Sequence, residues 1–411
     1  MSVGIYSFFS GSGFLDLGFE KTDGFKIDFV NEYHLPFLEA YKYSREKLDI
    51  PSPTFGYDSS DINDFIFNKK LDDLVFKSKL IHDLIGFIGG PPCPDFSVGG
   101  KNKGKDGENG KLSKTYIDLI CNYKPDFFLF ENVKGLYRTE KHRQFFEKLK
   151  KQLRKSGYVL TERLINSIEY GAPQDRDRII LIGFKPSVFS AFLNIEIPSE
   201  LALLKMFGWE KHIKYKREKV FSLNWPTTSE FEEDKYLGKP ENIILELTAQ
   251  YWFEKNDVYH HPNSGHCFNP KSDKFHYILE GDDSKKSYKR LHRWRYSPTV
   301  AYGNNEVHLH PYKARRMSAA ETLALQSLPK EFQLPPEMTL TNMFKTIGNG
   351  VPYLAGKGLA MTIIDFLNNN KNGKTNGKQF DKYYEPAVEC LDIQLKATQS
   401  APAAAIFHGN I

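Results

Sequence analysis

The sequence predicts an α/β protein: a doubly wound, mostly parallel sheet over residues 1–184, followed by a second, smaller and irregular domain. Three features carry that expectation. The chain opens as strand, glycine turn, helix and strand within about thirty residues, the pattern of a βαβ unit. Apolar runs then alternate with helical stretches as far as Phe184. Beyond Lys185 the period is lost, and aromatic residues, lysines and prolines follow without helical or strand spacing until roughly Tyr302.

Taken in order, Val3 to Phe9 is the first strand, and Ser10-Gly11-Ser12-Gly13 turns it into a helix that starts at Phe14. Phe25 to Val30 is a second strand closing on Asn31-Glu32, with a helix from Pro36 to Arg45. The apolar run Leu84 to Ile88 reads as a buried strand and ends in Gly89-Gly90-Pro91-Pro92-Cys93-Pro94-Asp95-Phe96-Ser97. Thr115 to Tyr123 is helical, and Asp126 to Phe130 is a strand closing on Glu131-Asn132-Val133. Lys141 to Ser156 is an amphipathic helix, followed by strands at Tyr158 to Asn166 and Arg178 to Phe184. After the irregular region, residues 185–302, helices at Ser318 to Ser327 and Pro352 to Asn368 return the chain to the first domain over residues 303–368. Residues 369–411 open as an Asn-, Lys- and Gly-rich linker and continue as a tail.

Composition bounds the function. With 411 residues, 40% hydrophobic and 26% charged, the chain suits a soluble globular protein with more than one core. Its four cysteines, Cys93, Cys121, Cys267 and Cys390, are too few and scattered for a disulfide framework. No Cys-x-x-Cys pair supports zinc-ribbon chemistry, and His260, His261, His266 and Cys267 crowd together without paired ligands elsewhere, so no metal is expected. The start lacks a basic and then apolar leader, and no apolar run approaches membrane-span length, which makes a cytoplasmic protein the expectation. A net charge of +5 permits a polyanionic partner without demanding one.

Several residues could carry chemistry. Cys93 stands on a rigid turn at a strand's carboxyl end, where ligands of open α/β sheets collect; it is either a nucleophile or a small buried hydrophobe. The Gly11-Ser12-Gly13 turn lets backbone approach a ligand, and Glu32, about twenty residues on, is placed to accept from ribose hydroxyls. A dinucleotide fingerprint would have a third glycine where Asp16 stands, which favours a smaller nucleoside ligand. Glu131 is either a proton donor to a substrate ring or a solvated strand-end acid. Gln174, Arg176 and Arg178 alternate at the start of a strand, so the two arginines share a face suited to an anion or carbonyl oxygen, as an exposed edge strand would also. The Gly- and Lys-rich stretch Gly99 to Lys111 is a loop able to close over a phosphate backbone, or simply a solvated one.

These signals occur together and in one order, and in that order the chain resembles the DNA (cytosine-5) methyltransferases of prokaryotic restriction-modification systems. Phe9-Ser10-Gly11-Ser12-Gly13 with Gly18-Phe19-Glu20 resembles the family's first motif, Asn31-Glu32-Tyr33 the second and Asp61-Ile62 the third. Gly90-Pro91-Pro92-Cys93-Pro94-Asp95-Phe96-Ser97 is similar to the Pro-Cys motif, Glu131-Asn132-Val133-Lys134-Gly135 to the Glu-Asn-Val motif, and Gln174-Asp175-Arg176-Asp177-Arg178 to Gln-x-Arg-x-Arg. His310-Pro311, Arg315, Arg316, Glu321, Gln326-Ser327 and Pro329 resemble the ninth motif, and Gly348-Asn349-Gly350-Val351-Pro352 the tenth. Departures are Ser7, where the family usually has an acid, Phe14 for a glycine, and Pro94 for a frequent glutamine.

The resemblance implies a Rossmann-like methyltransferase sheet, with a target-recognition domain in the middle region. It implies S-adenosyl-L-methionine at Phe9, Gly11 and Gly13, with Glu32 on the ribose, Tyr33 and Ile62 flanking the adenine, Asp61 on its amine, and Asn349 and Val351 near the methionine end. It gives Cys93 as nucleophile on turn residue Pro92, Glu131 at ring N3 and the exocyclic amine, Arg178 at O2 with Arg176 in support, and Asn132 fixing the loop of Glu131. Double-stranded DNA is the implied partner, with Ser97, Lys101, Lys103, Lys105, Gln174, Arg290, Arg293 and Arg295 as candidate contacts. The last three come from one of two basic-aromatic clusters, Lys211 to Lys219 and Lys285 to Tyr296, which are otherwise charged solvated surface. A monomer acting independently of a cognate restriction endonuclease is expected. The rival readings are a cytosine-5 methyltransferase of tRNA and a catalytically silent DNA-binding relative.

Overall fold

Large apolar side chains alternate along the early strands, so both faces of the sheet must be covered. In the computed structural model, which describes residues 1–92, 108–269, 272–285, 287–300 and 307–371, they are. Val3 and Ile5 enter one core, and Tyr6 and Phe8 the opposite one. Phe127 and Leu129 divide from Phe128 and Phe130 in the same way.

Seven strands form the sheet: β1 (Val3–Phe8), β2 (Phe25–Asn31), β3 (Tyr57–Asp58), β4 (Leu84–Gly89), β5 (Phe127–Val133), β6 (Val159–Asn166) and β7 (Asp177–Phe184), in the order β3-β2-β1-β4-β5-β7-β6. The strands from β3 to β5 pair in parallel. Only β7 is reversed, against both β5 and β6, because a 3₁₀ turn at Ser167–Tyr170 and a short loop join β6 to β7, too little chain for a parallel crossover.

The flanking helices are α1 (Phe14–Glu20), α2 (Leu35–Lys47), α3 (Ile62–Asn68), α4 (Asp72–Ile81), α5 (Glu108–Tyr123) and α6 (Glu140–Lys155). Thr139 starts α6 by accepting from the His142 amide, and Arg154 and Lys155 lie at its negative carboxyl end. The middle region is irregular, and its described residues carry the short helices α7 (Glu200–Met206), α8 (Arg217–Phe221), α9 (Ala249–Lys255) and α10 (Lys274–Tyr277), a π-helical turn at Val188–Leu193 and a 3₁₀ turn at Leu245–Leu247. A two-residue strand, β8 (Lys289–Arg290), pairs with β9 (His308–Leu309). Three helices close the described chain: α11 (Ala319–Leu325), α12 (Leu340–Asn349) and α13 (Tyr353–Lys371).

The middle region does not pack apart from the sheet. Phe189, Leu203, Phe207 and Trp209 lie in the same core as Ile180 and Ile182 of β7, and Trp252 and Leu291 share a third core with Phe14 and Leu17 of α1. Residues 1–371 form one compact unit. The last helix docks where side chains vanish: a Cβ on Gly18 of α1 would lie 2.4 Å from the Gly356 backbone of α13.

Candidate active site

The sheet brings four loops to one edge. Phe8, at the end of β1, pairs with Asn31 on one side and Gly89 on the other, and Gly89 pairs with Phe130. The turn after β1, Glu32 after β2, Gly90-Pro91-Pro92 after β4 and Glu131 in β5 therefore open together, at the point where the strand order reverses.

Cys93, the expected nucleophile, lies outside the described residues, as do Ser97, Lys101, Lys103 and Lys105. What leads to it is built tightly. Asn132 donates from Nδ2 to the Pro91 carbonyl at 3.4 Å and accepts from the Val133 amide at 2.8 Å, so one amide joins the turn before Cys93 to the strand carrying Glu131. Pro92 is exposed at the end of that turn. Gly90 leaves room for Glu131: a Cβ there would lie 2.5 Å from Glu131 Oε2.

Glu131 and Arg178 meet because the β5–β7 register sets Val133 opposite Arg178 and Glu131 opposite Ile180, making the two polar residues diagonal neighbours. Arg178 Nε lies 2.7 Å from Glu131 Oε1, and Nη1 donates to the Asp177 carbonyl at 2.7 Å. Burial pushes the Glu131 carboxyl above its ordinary range, opposed by Arg178 and then Arg176. Such a carboxyl, held in one orientation, can donate to or accept from a ring edge. Arg176 stands just before β7; it donates to the Gly348 carbonyl at 2.8 Å and the Val300 carbonyl at 3.1 Å. It thus ties the root of β7 to the end of α12 while adding positive potential behind Glu131.

The turn after β1 is left-handed at Phe9 (φ 53°), Gly11 (57°) and Gly13 (76°). Glu32 braces it, accepting from the amides of Gly11 and His34, each at 2.8 Å, which leaves a lone pair on each oxygen. Burial raises the Glu32 carboxyl above its ordinary value. Tyr33 presents its ring at 70% exposure, whereas Ile62 is buried in the second core. Asp61 is exposed and caps α3 by accepting from the Asn63 amide at 2.8 Å. Asn349 is exposed at the end of α12, and Val351 packs into the first core. A Cβ on Gly11 would meet only Thr346 Oγ1, at 3.8 Å, so the space beside the turn is open. An open backbone cradle, an exposed aromatic ring and a buried carboxylate fit a nucleoside-bearing ligand.

Sequence reasoning missed the supports of that turn. Ser12 Oγ and Thr346 Oγ1 are 2.8 Å apart, joining the turn to α12. Arg45, fully buried, donates to the carbonyls of Ser12 at 3.3 Å and Gly13 at 2.6 Å and pairs with Glu20 at 2.8 Å. Asp16 is buried beside it, and desolvation raises its carboxyl to about 6 against the pull of Arg45. The signal was faint: Tyr41 and Arg45 lie four apart on α2 and stack at 4.0 Å, a pattern many exposed helices share.

With this geometry in hand, comparison with known proteins is decisive. The family model of the C-5 cytosine-specific DNA methylases matches residues 3–365. The chain belongs to that family. It is 59% identical over 379 residues to the type II methyltransferase M.NmeDI of Neisseria meningitidis serogroup C, covering 91% of this chain and 86% of that protein. It is 27% identical over 388 residues to M.FnuDI of Fusobacterium nucleatum, covering 88% and 95%. Among solved structures, a prophage-encoded protein of E. coli aligns with a TM-score of 0.53 at 21% identity, over 89% of this chain and all (100%) of that one. The S. pombe Dnmt2 methyltransferase aligns with a TM-score of 0.53 at 13% identity, over 90% and 100%. The last two share the fold. The protein is a DNA cytosine-5 methyltransferase.

In this methylase many side chains of the basic-aromatic clusters have partners within the fold. Arg290 is fully buried, donating to the carbonyls of Ile278, His310, Lys313 and Phe275. Arg293 is held by Glu280, with Nε to Oε1 at 2.8 Å and Nη2 to Oε2 at 2.7 Å. Arg295 pairs with Asp283 at 2.7 Å. Gln174 is buried, accepting from the Val300 amide at 3.1 Å and donating to the Leu325 carbonyl at 3.3 Å. In the first cluster Lys211 pairs with Asp365, Lys214 with Glu246 and Arg217 with Asp177, while Lys216 and Lys219 are exposed. His261 and His266 hydrogen-bond the carbonyls of Phe332 and Pro336. No helix among the described residues is long and apolar enough to cross a membrane.

Proposed function

We propose that this methylase transfers a methyl group from S-adenosyl-L-methionine to C5 of a cytosine flipped out of a specific duplex DNA sequence, and that it protects host DNA as the modification partner of a restriction endonuclease. The observation that carries the reading is the buried Glu131–Arg178 pair, tied through Asn132 to the Pro91 turn that runs into Cys93. The type II names of its relatives support the restriction-modification role.

Cytosine C5 is a poor nucleophile, and the Cys93 thiolate activates it by forming a bond to C6, which pushes an electron pair toward C5. A free thiol with a pKa of about 8.5 is only a few per cent ionised at neutral pH, so charge relief on the ring must assist. Glu131 supplies it at N3 and the exocyclic amine, and Arg178 at O2. The turn from Phe9 to Gly13 and the Glu32 carboxylate would hold S-adenosyl-L-methionine, which would supply the methyl group to C5 and leave as S-adenosyl-L-homocysteine. Loss of the C5 proton to a base then re-forms the double bond and expels the thiolate. None of these atoms is reachable inside a duplex, so the base is flipped. Middle-region side chains that remain exposed, Lys216 and Lys219 among them, are the phosphate contacts of this reading.

Transfer of tritiated methyl groups tests it: label enters duplex DNA and not tRNA, and bisulfite sequencing of the labelled DNA gives the target sequence. Label in tRNA alone would contradict it.

A further inference from the structure

Asp177 occupies one of the two variable positions of the Gln-x-Arg-x-Arg stretch, yet its carboxylate is held by Lys134, Arg217 and Asn166. Its Oδ2 lies 2.9 Å from Lys134 Nζ, and its Oδ1 lies 2.9 Å from Arg217 Nη1 and accepts from Asn166 Nδ2 at 2.9 Å. Its own carbonyl accepts from Arg178 Nη1 at 2.7 Å. Lys134 follows β5, the strand of Glu131, and Asp177 opens β7, the strand of Arg178. The Lys134–Asp177 ion pair therefore clamps together the two strand ends whose residues form the Glu131–Arg178 pair. Arg217 adds a third point of attachment from α8, in the middle region.

The Arg217 guanidinium also lies 5.5 Å from the Phe221 ring centre in α8, but other contacts hold α8 as well. The amides of Lys214 and Tyr215 donate to the Glu169 carbonyl at 2.8 and 3.0 Å, and Val220 packs on Ile168. Removing the Arg217 guanidinium leaves those contacts intact. It releases one side of Asp177, hence the carbonyl against which Arg178 is set.

We propose that Arg217 and Lys134 are positioning residues of methyl transfer, acting through Asp177 to hold Arg178 against Glu131, so that the middle region fixes the geometry of the base-binding pair. The proposal rests on the reading that Glu131 and Arg178 act on the flipped base. A guanidinium displaced by a fraction of an ångström at such a site costs rate rather than ground-state binding. The charge is what matters at position 217, and a lysine can supply it.

The test uses the full chain with tritiated S-adenosyl-L-methionine and plasmid DNA, comparing Arg217→Ala, Arg217→Lys, Lys134→Ala and Glu131→Gln with the parent. Arg217→Ala and Lys134→Ala are expected to lower kcat on the order of tenfold, with KM for DNA and Tm unchanged, and Arg217→Lys to recover most of the rate. Parental kcat in both alanine variants overturns the proposal, as does a loss of kcat that only follows a fall in Tm and is not rescued by lysine. Glu131→Gln separates the two readings. If it loses activity while both alanine variants keep theirs, the clamp alone fails; if it keeps full activity, the reading of the base-binding pair fails.

Discussion

Gly90 and Asp16 show how single side chains set this site. A methyl on Gly90 would press on Glu131 Oε2, and Glu131 cannot swing aside without breaking its 2.7 Å contact to Arg178. Gly90→Ala is expected to lower the single-turnover methylation rate roughly 10- to 100-fold while Tm stays near the parent's. Asp16 acts on stability instead. Its carboxyl, raised by burial from 3.8 to about 6, binds more protons in the folded chain than in the unfolded one between those values. Its contribution is thus fully present at low pH and is lost as pH rises through about 6. Asp16→Asn removes that dependence. Relative to the parent, the variant should gain stability on going from pH 4 to pH 7, on the order of 2–3 kcal/mol by urea unfolding.

At the scale of elements, the contrast between β5 and β8 explains what a sequence can and cannot reveal. The strand at β5 was legible because apolar residues run unbroken into Glu131-Asn132-Val133, and its register then brings Glu131 to Arg178. The reversal of β7 was not, since a strand has the same two-residue period in either direction. Nor was the short helix α12, whose Thr, Asn and Lys residues mask the apolar face that it buries. Arg290 on β8 sits among lysines, tyrosines and arginines, and composition alone cannot separate a phosphate contact from a buried arginine satisfying four carbonyls. The two roles differ in experiment. Arg290→Ala should cost more than about 3 kcal/mol, because buried carbonyls lose their donors. The salt dependence of DNA binding should stay parental, whereas a phosphate contact would lower its slope and spare stability.

Across the whole molecule, pieces far apart in sequence complete one edge of one sheet. Thr346 and Val351 return beside the first turn, Gly348 receives Arg176, and Arg217 reaches Asp177 from the middle region. The ordered motifs made the return of the last segment legible, because they require it to meet the first. The crossing from α8 to Asp177 had no such signal, since Arg217 lies outside the motifs and Asp177 stands at a variable position of one. In the proposed reaction this edge makes cytosine C5 reactive through a bond from Cys93 to C6. Its most direct measurement is denaturing gel electrophoresis of the protein with S-adenosyl-L-methionine and duplex DNA carrying 5-fluorocytosine at the methylated position. Fluorine at C5 blocks the final elimination, so a stable protein–DNA adduct should form with the parent and be absent in Cys93→Ala. No adduct with the parent, or an equal adduct in Cys93→Ala, would contradict the account.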